Sequence, residues 1–180
     1  MVSTKVITGK VRFSYAHVFE PKAVGDDGAA KKYSVALIIS KSDKKTLKKI
    51  EEAVAAAIEA GKVKVFGGKV PKKLKLPLRD GDDEREDDPS YEKAMFLNAS
   101  SFDKPGIIDA NLDPIMDKED FYSGCYGRAS VNFYAFNRNG SVGVACGLNN
   151  LQKLEDGERL AGGGSSAEDD FGSADDDDLS

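Results

Sequence analysis

From Lys5 to Tyr15 apolar and polar residues trade places at every second position, with Ile7, Val11, Phe13 and Tyr15 on one side and Thr8, Lys10, Arg12 and Ser14 on the other. A period of two marks a half-buried strand, so the chain is expected to open on one long strand. Lys31 to Ile39 (KKYSVALII) is dense in strand formers and is preceded by a turn-forming stretch, Gly25 to Ala30, so the two segments are expected to pair as a hairpin. The period then changes. Leu47, Ile50, Val54, Ala57 and Ile58 recur at three and four residues behind Ser42 or Asp43 as cap, which predicts one helix stopped by Gly61. Lys62 to Arg79 holds Gly67, Gly68, Pro71 and Pro77 and reads as an extended or looped segment, and Asp80 to Glu92 as an exposed loop. Strand patterns return at Ala94 to Ser101, briefly at Ile107 to Asp109, and at length over Gly124 to Phe136 and Val142 to Leu154.

Mostly antiparallel strands with one helix predict a mainly β domain over residues 1–160, a small barrel for which the oligonucleotide-binding (OB) fold is the natural candidate. Residues 161–180 cannot join it. They comprise a Gly/Ser linker and the run EDDFGSADDDDLS, which has too little apolar surface to offset its ordering entropy and is expected to be a disordered interaction tail.

Charge changes the picture. All 26 Lys and Arg precede residue 161 but only 24 of the 31 acids do, so the body is +2 and the tail −7. Within the body, Asp80 to Glu92 carries eight acids against Arg85 alone, which leaves the remaining surface at +9. A molecule of net charge −5 therefore holds a basic body behind two acidic segments, the arrangement either of a self-inhibited polyanion binder or of a protein whose acidic tail merely confers solubility.

Catalytic chemistry finds little support. The sequence contains no GxxxxGK[ST] and no GxSxG. Asp109, Asn111, Asp113, Asp117 and Asp120 approach a calcium-loop spacing, but Pro114 stands where the sharp turn needs Gly. A metal nuclease built on Asp103, Asp109 and Asp113 is the enzymatic alternative. His17 is the only histidine and Cys125 and Cys146 lack CxxC spacing, so no metal or other cofactor is expected and the thiols are expected to be free. No apolar run suits a membrane helix or a signal peptide, which implies a cytoplasmic protein.

Binding chemistry fits better, because a sequence-tolerant single-strand binder needs a cationic path for phosphates and aromatic faces for bases. On the last long strand but one, Ala129, Val131, Phe133 and Ala135 share a face, while Arg128, Ser130, Asn132, Tyr134 and Phe136 share the wetter one. Tyr15 begins a second alternation with His17 and Phe19, and Arg12 lies across the strand from it. Lys31, Lys32 and Tyr33 form a smaller cluster, and Lys62, Lys64, Lys69, Lys72, Lys73, Lys75 and Arg79 are seven bases in a run without an acid.

GKVRFSYAHVFEP, KKYSVALIISKSD, FLNASSFDKPGIID, FYSGCYGRASVNFYAFN and GVACGLNNLQKLEDGERL together resemble a family of tailed-bacteriophage single-stranded DNA-binding proteins across nearly the whole body. The resemblance implies a non-enzymatic OB-fold protein of phage replication and recombination that coats exposed DNA in the host cytoplasm. It also implies that the acidic tail recruits replication or recombination partners. Asp169, Asp170, Asp175, Asp176, Asp177 and Asp178 are the aspartates of that tail, with Phe171 or Leu179 as the docking residue. A partner-binding regulator with incidental DNA contact is the alternative from another class.

Overall fold

The computed structural model describes residues 3–23 and 31–160. Eight strands form one sheet: β1 (Lys5–Ile7), β2 (Val11–Ala23), β3 (Lys31–Ser40), β4 (Arg79–Asp80), β5 (Ala94–Ser101), β6 (Gly106–Ile108), β7 (Tyr126–Arg138) and β8 (Ser141–Glu155). Helix α1 (Lys44–Gly61) lies between β3 and β4, and the four-residue α2 (Gly81–Glu84) follows β4.

Five strands close a ring. β7 pairs with β2, β2 with β3, β3 with β5, β5 in parallel with β8 through Ser100 and Gly147, and β8 returns to β7 along its whole length. Numbered in chain order, the ring runs 1-2-3-5-4-1, the Greek-key closure of an OB barrel, so the mainly β expectation is met. β1, β6 and β4 extend the ring on β7, β8 and β5. Closure leaves little open edge and turns one row of each strand into a shared core.

That core follows the period-two pattern: Val35, Leu37 and Ile39 from β3, Leu97 and Ala99 from β5, Ala129, Val131 and Phe133 from β7, and Val144, Cys146 and Leu148 from β8 are all buried. Each large side chain so enclosed contributes about 1.5–3 kcal/mol. Helix α1 packs on β7, β1 and β8 through Ile50, Ala53, Val54 and Ala57. Asp43 caps it by accepting from the Thr46 N–H at 3.2 Å. Both cysteines are free and buried, and burial pushes both thiols up.

Three expectations need correction. The opening strand is broken: Val6 is buried, Ile7 is 51% exposed, and the chain steps sideways at Thr8–Lys10. Thr8 causes the step, because its Oγ1 accepts from the Ala129 N–H, while the Gly9 N–H donates to Thr46 Oγ1. Gly61 does not end α1 as a left-handed cap; it is buried against β7, where an added Cβ would fall 2.5 Å from that of Ala135. The chain goes on turning through Lys62 to Gly68, and the positive φ values belong to Gly67 (72°) and Gly68 (99°). Finally, Asp80 to Glu92 is not merely an exposed loop. It forms β4, α2 and a 3-10 turn at Pro89–Tyr91, because Tyr91 is buried against Phe96 in an edge-to-face pair with centroids 5.1 Å apart. Lys41 anchors the segment by donating to Asp80 and Asp82 at 3.0 and 2.7 Å.

The β2–β3 hairpin forms as expected, although its turn lies outside the described residues. Among the described residues, no helix is long and apolar enough to cross a membrane.

Candidate nucleic-acid interface

The outer face of β3 and β5 forms the floor of a cleft of about 370 Å³. Ser34 pairs with Ser100 and Ala36 with Asn98 across that floor, as the outward partners of the core positions beside them. β7 and β8 raise one wall with Tyr134, Phe136, Arg138 and Ala145, and the β2 side contributes Tyr15. Lys32, at the start of β3, also lines it.

Strand alternation builds the aromatic wall. With Phe133 in the core, Tyr134 must face out, where it is 37% exposed, and Phe136 follows two residues later. Small neighbours keep the rings open: Tyr134 stands opposite Ala145 and Phe136 opposite Gly143. The Arg138 guanidinium lies 5.7 Å from the Phe136 ring centroid, so a cation and a ring face occupy one spot.

Tyr15 reaches the cleft through a bulge. Ser14 pairs with Ala36 and His17 with Ser34, so β2 spends one more residue than β3. The extra residue reverses the phase, and Phe13 and Val18 can both be buried while Tyr15, at φ 48°, is pushed outward. Arg85 backs it. Its guanidinium carbon lies 5.9 Å from the Tyr15 centroid and 5.8 and 5.2 Å from those of Tyr91 and Phe96. Burial, and then Lys22, lower the His17 pKa, so this half-buried imidazole adds no charge at neutral pH.

Beyond Tyr15 lies a second hollow of about 560 Å³ lined by Asp83, Glu84, Glu86, Asp87 and Asp88. Tyr15 borders both. The electrostatics differ sharply on its two sides: rings with Lys32 and Arg138 on one, a carboxylate wall on the other. A phosphate chain is attracted to the first and repelled by the second.

Of the residues singled out from sequence, the cleft gathers Tyr15, Lys32, Tyr134 and Phe136. Others are placed elsewhere. Lys31 and Tyr33 take the alternate positions of β3, with Tyr33 on the Val35 side. Arg12 donates to the carbonyls of Gly124 and Glu158 at 3.1 and 2.8 Å and holds the segment after β8 against the barrel. Arg128, on the Tyr134 face but six residues (about 20 Å) away, donates twice to Gln152 Oε1, at 3.0 and 2.6 Å. Arg79 pairs with Glu84 at 3.6 Å. Lys62 and Lys64 sit in the turns after α1, and Lys69, Lys72, Lys73 and Lys75 are exposed along the following segment.

That segment is not free of the sheet. The Lys75 N–H donates to Val142 O and its carbonyl accepts from the Val144 N–H, both at 2.9 Å, so Lys75 lies across β8 from Phe136, about 10 Å away. Asp169, Asp170, Phe171, Asp175, Asp176, Asp177, Asp178 and Leu179 lie outside the described residues. Among the described residues no three His, Cys, Asp or Glu gather as a metal site, and Asp109 Oδ1 instead accepts from the N–H groups of Asn111 and Asp113 at 2.8 and 3.0 Å.

Sequence reasoning missed Arg138 and the floor residues Asn98 and Ser100. Alternation alone marks the latter two as outward-facing, but their role needs the pairing of β3 with β5.

The ring order and a cleft on the outer face of its second and third strands define the class of oligonucleotide-binding barrels, which take ligands on that face. A family model described as the single-stranded DNA-binding protein of Enterobacter phage Enc34 matches residues 4–180, and the chain belongs to that family, one of binding proteins and not of enzymes. Putative protein p50 of Acyrthosiphon pisum secondary endosymbiont phage 1 is 31% identical over 182 residues, 98% of this chain and 94% of that protein. The bacteriophage Enc34 single-stranded DNA-binding protein, solved in complex with single-stranded DNA, superposes with a TM-score of 0.76 at 21% identity, covering 87% of this chain and 89% of the other. Bacteriophage T7 gp2.5, also a single-stranded DNA-binding protein, does so with a TM-score of 0.61 at 15% identity over 89% of this chain and 97% of its own.

Proposed function

We propose that this protein coats single-stranded DNA exposed during phage replication and recombination in the host cytoplasm, with little preference for sequence. The observation that carries the reading is the cleft itself, three outward rings and two cations on the face by which OB barrels take oligonucleotides. Bases stack on Tyr134, Phe136 and Tyr15, and Lys32 and Arg138 neutralise phosphates. The exposed lysines from Lys69 to Lys75 continue the cationic path beside β8. Stacking accepts any base because every base has a π face.

Residues 1–160 serve as the binding domain and 161–180 as its tail. The tail starts beside Leu160, which lines the acidic hollow that shares Tyr15 with the cleft. Seven acids tethered there by a short linker are held at high effective concentration near the cleft and compete with DNA until it displaces them. Phe171 and Leu179 then become available to replication or recombination proteins.

The test is a fluorescence titration of oligo(dT), random-sequence duplex and RNA at two salt concentrations, with the full chain and with a chain ending at Leu160. Tight single-strand binding with weak duplex binding is expected, and truncation should tighten it most at low salt, where screening is least. Equal affinity for duplex would refute stacking. Unchanged low-salt affinity on truncation would refute competition by the tail.

A further inference from the structure

We infer that Phe102, with Lys32 on its ring and the Lys104–Phe19 pair beyond it, forms a second base-stacking station that extends the DNA path past the cleft. The inference rests on the cleft reading given above.

Phe102 directly follows β5 and is 64% exposed, more than Tyr15 or Tyr134. A lone exposed apolar residue is ordinary and needs no function. Phe102 is not alone. The Nζ of Lys32, which also lines the cleft, lies 4.7 Å from its ring centroid. On the same strand Ser100 lines the cleft, and Phe102 stands two residues, about 7 Å, further on. Two residues later Lys104 places its Nζ 5.5 Å from the centroid of Phe19, a ring that borders a shallow hollow with Met116 and Lys118. Each pair offers a ring for a base and an ammonium for the adjoining phosphate, which is what a sequence-tolerant station requires.

Charge decides the direction of the path. On the Tyr15 side the cleft ends against Asp83, Glu84, Glu86 and Asp87, where a polyanion meets repulsion. On the Lys32 side the cleft is lined by Lys32 and Arg138 with no acid, and Lys104 follows beyond Phe102. A strand held by Tyr134 and Phe136 therefore leaves over Phe102. The β5–β6 connection thereby becomes part of the interface.

The experiment titrates the full-length protein, its F102A and K104A variants and Y134A with a ladder of fluorescent oligo(dT) from about 4 to 16 nucleotides, the span of one OB barrel's site. Wild-type affinity should step up once the oligonucleotide is long enough to pass beyond the cleft. F102A should remove that step, losing roughly 5- to 150-fold on the longest oligonucleotides and nothing on the shortest. K104A should lower the salt slope for long oligonucleotides only. F102A affinities equal to wild type at every length, or reduced equally at every length, would overturn the extension. Y134A reports separately on the cleft: a loss at all lengths upholds it, and no loss at any length would sink the cleft reading whatever F102A does.

Discussion

Replacing Tyr134 by Ala and, separately, its neighbour Phe133 by Ala should produce opposite failures in adjacent residues of one strand. Tyr134 faces the cleft and is 37% exposed, its hydroxyl makes no hydrogen bond with another described residue, and Ala145 and Gly147 beside it are small. Its truncation should cost the fold about 1 kcal/mol at most. The lost stacking face should cost about 1–3 kcal/mol of binding, a roughly 5- to 150-fold rise in Kd. No cation is removed, so the slope of log K against log salt should stay the same. Phe133 is 1% exposed in the barrel core, and its truncation should cost about 3–5 kcal/mol of stability. Oligo(dT) titrations at several salt concentrations, paired with urea denaturation of each variant, read both quantities. A Y134A protein that binds normally, or one that unfolds as readily as F133A, would refute the assignment of the two faces.

Replacing Lys72 and Lys73 together by Ala should flatten the single-strand salt slope by about 0.7 per lost phosphate contact, and an unchanged slope in fluorescence titration would remove this run from the interface. Gly61→Val should destabilise the fold, because even one added Cβ meets that of Ala135 at 2.5 Å, and a thermal midpoint equal to wild type would contradict the packing of α1 on β7. Hydrogen bonds from Lys41 hold the Asp80 and Asp82 carboxyls below their usual range. Their contribution is complete above the ordinary carboxylate pKa of about 4 and is lost as pH falls through the lower folded values, because the unfolded chain then binds more protons. Thermal unfolding of wild type should therefore drop more steeply as pH falls below about 4 than that of Lys41→Met, and parallel curves would contradict the ion-pair anchor.

The strands were legible largely through alternation around the barrel core. β7 is the clearest case: the parity that buries Ala129, Val131 and Phe133 also sets Tyr134 and Phe136 outward. The floor of the cleft was not legible, since Asn98 and Ser100 acquire meaning only when β5 pairs with β3, some 60 residues away in the chain. Tyr15 owes its outward place to the bulge, which breaks the alternation in which the sequence sets it. Charge alone did not show that the guanidinium groups of Arg12 and Arg128 are engaged by carbonyls and by Gln152, partners that carry no charge and leave no mark in the sequence. Glycine was ambiguous in the same way: Gly61 sits where a helix cap is expected, but close approach to Ala135 is what calls for it.

Single strands are proposed to lie along the outer face of β3 and β5 between Tyr15 and the Tyr134–Phe136 wall. Photo-crosslinking of halogenated oligo(dT) to the full-length protein, followed by peptide mapping, tests it most directly. The account predicts crosslinks at Tyr134, Phe136 and Tyr15 that an excess of unlabelled oligo(dT) abolishes. Crosslinks confined to the opposite end of β7 and the segment before it, at Tyr126 or Tyr122, would contradict it.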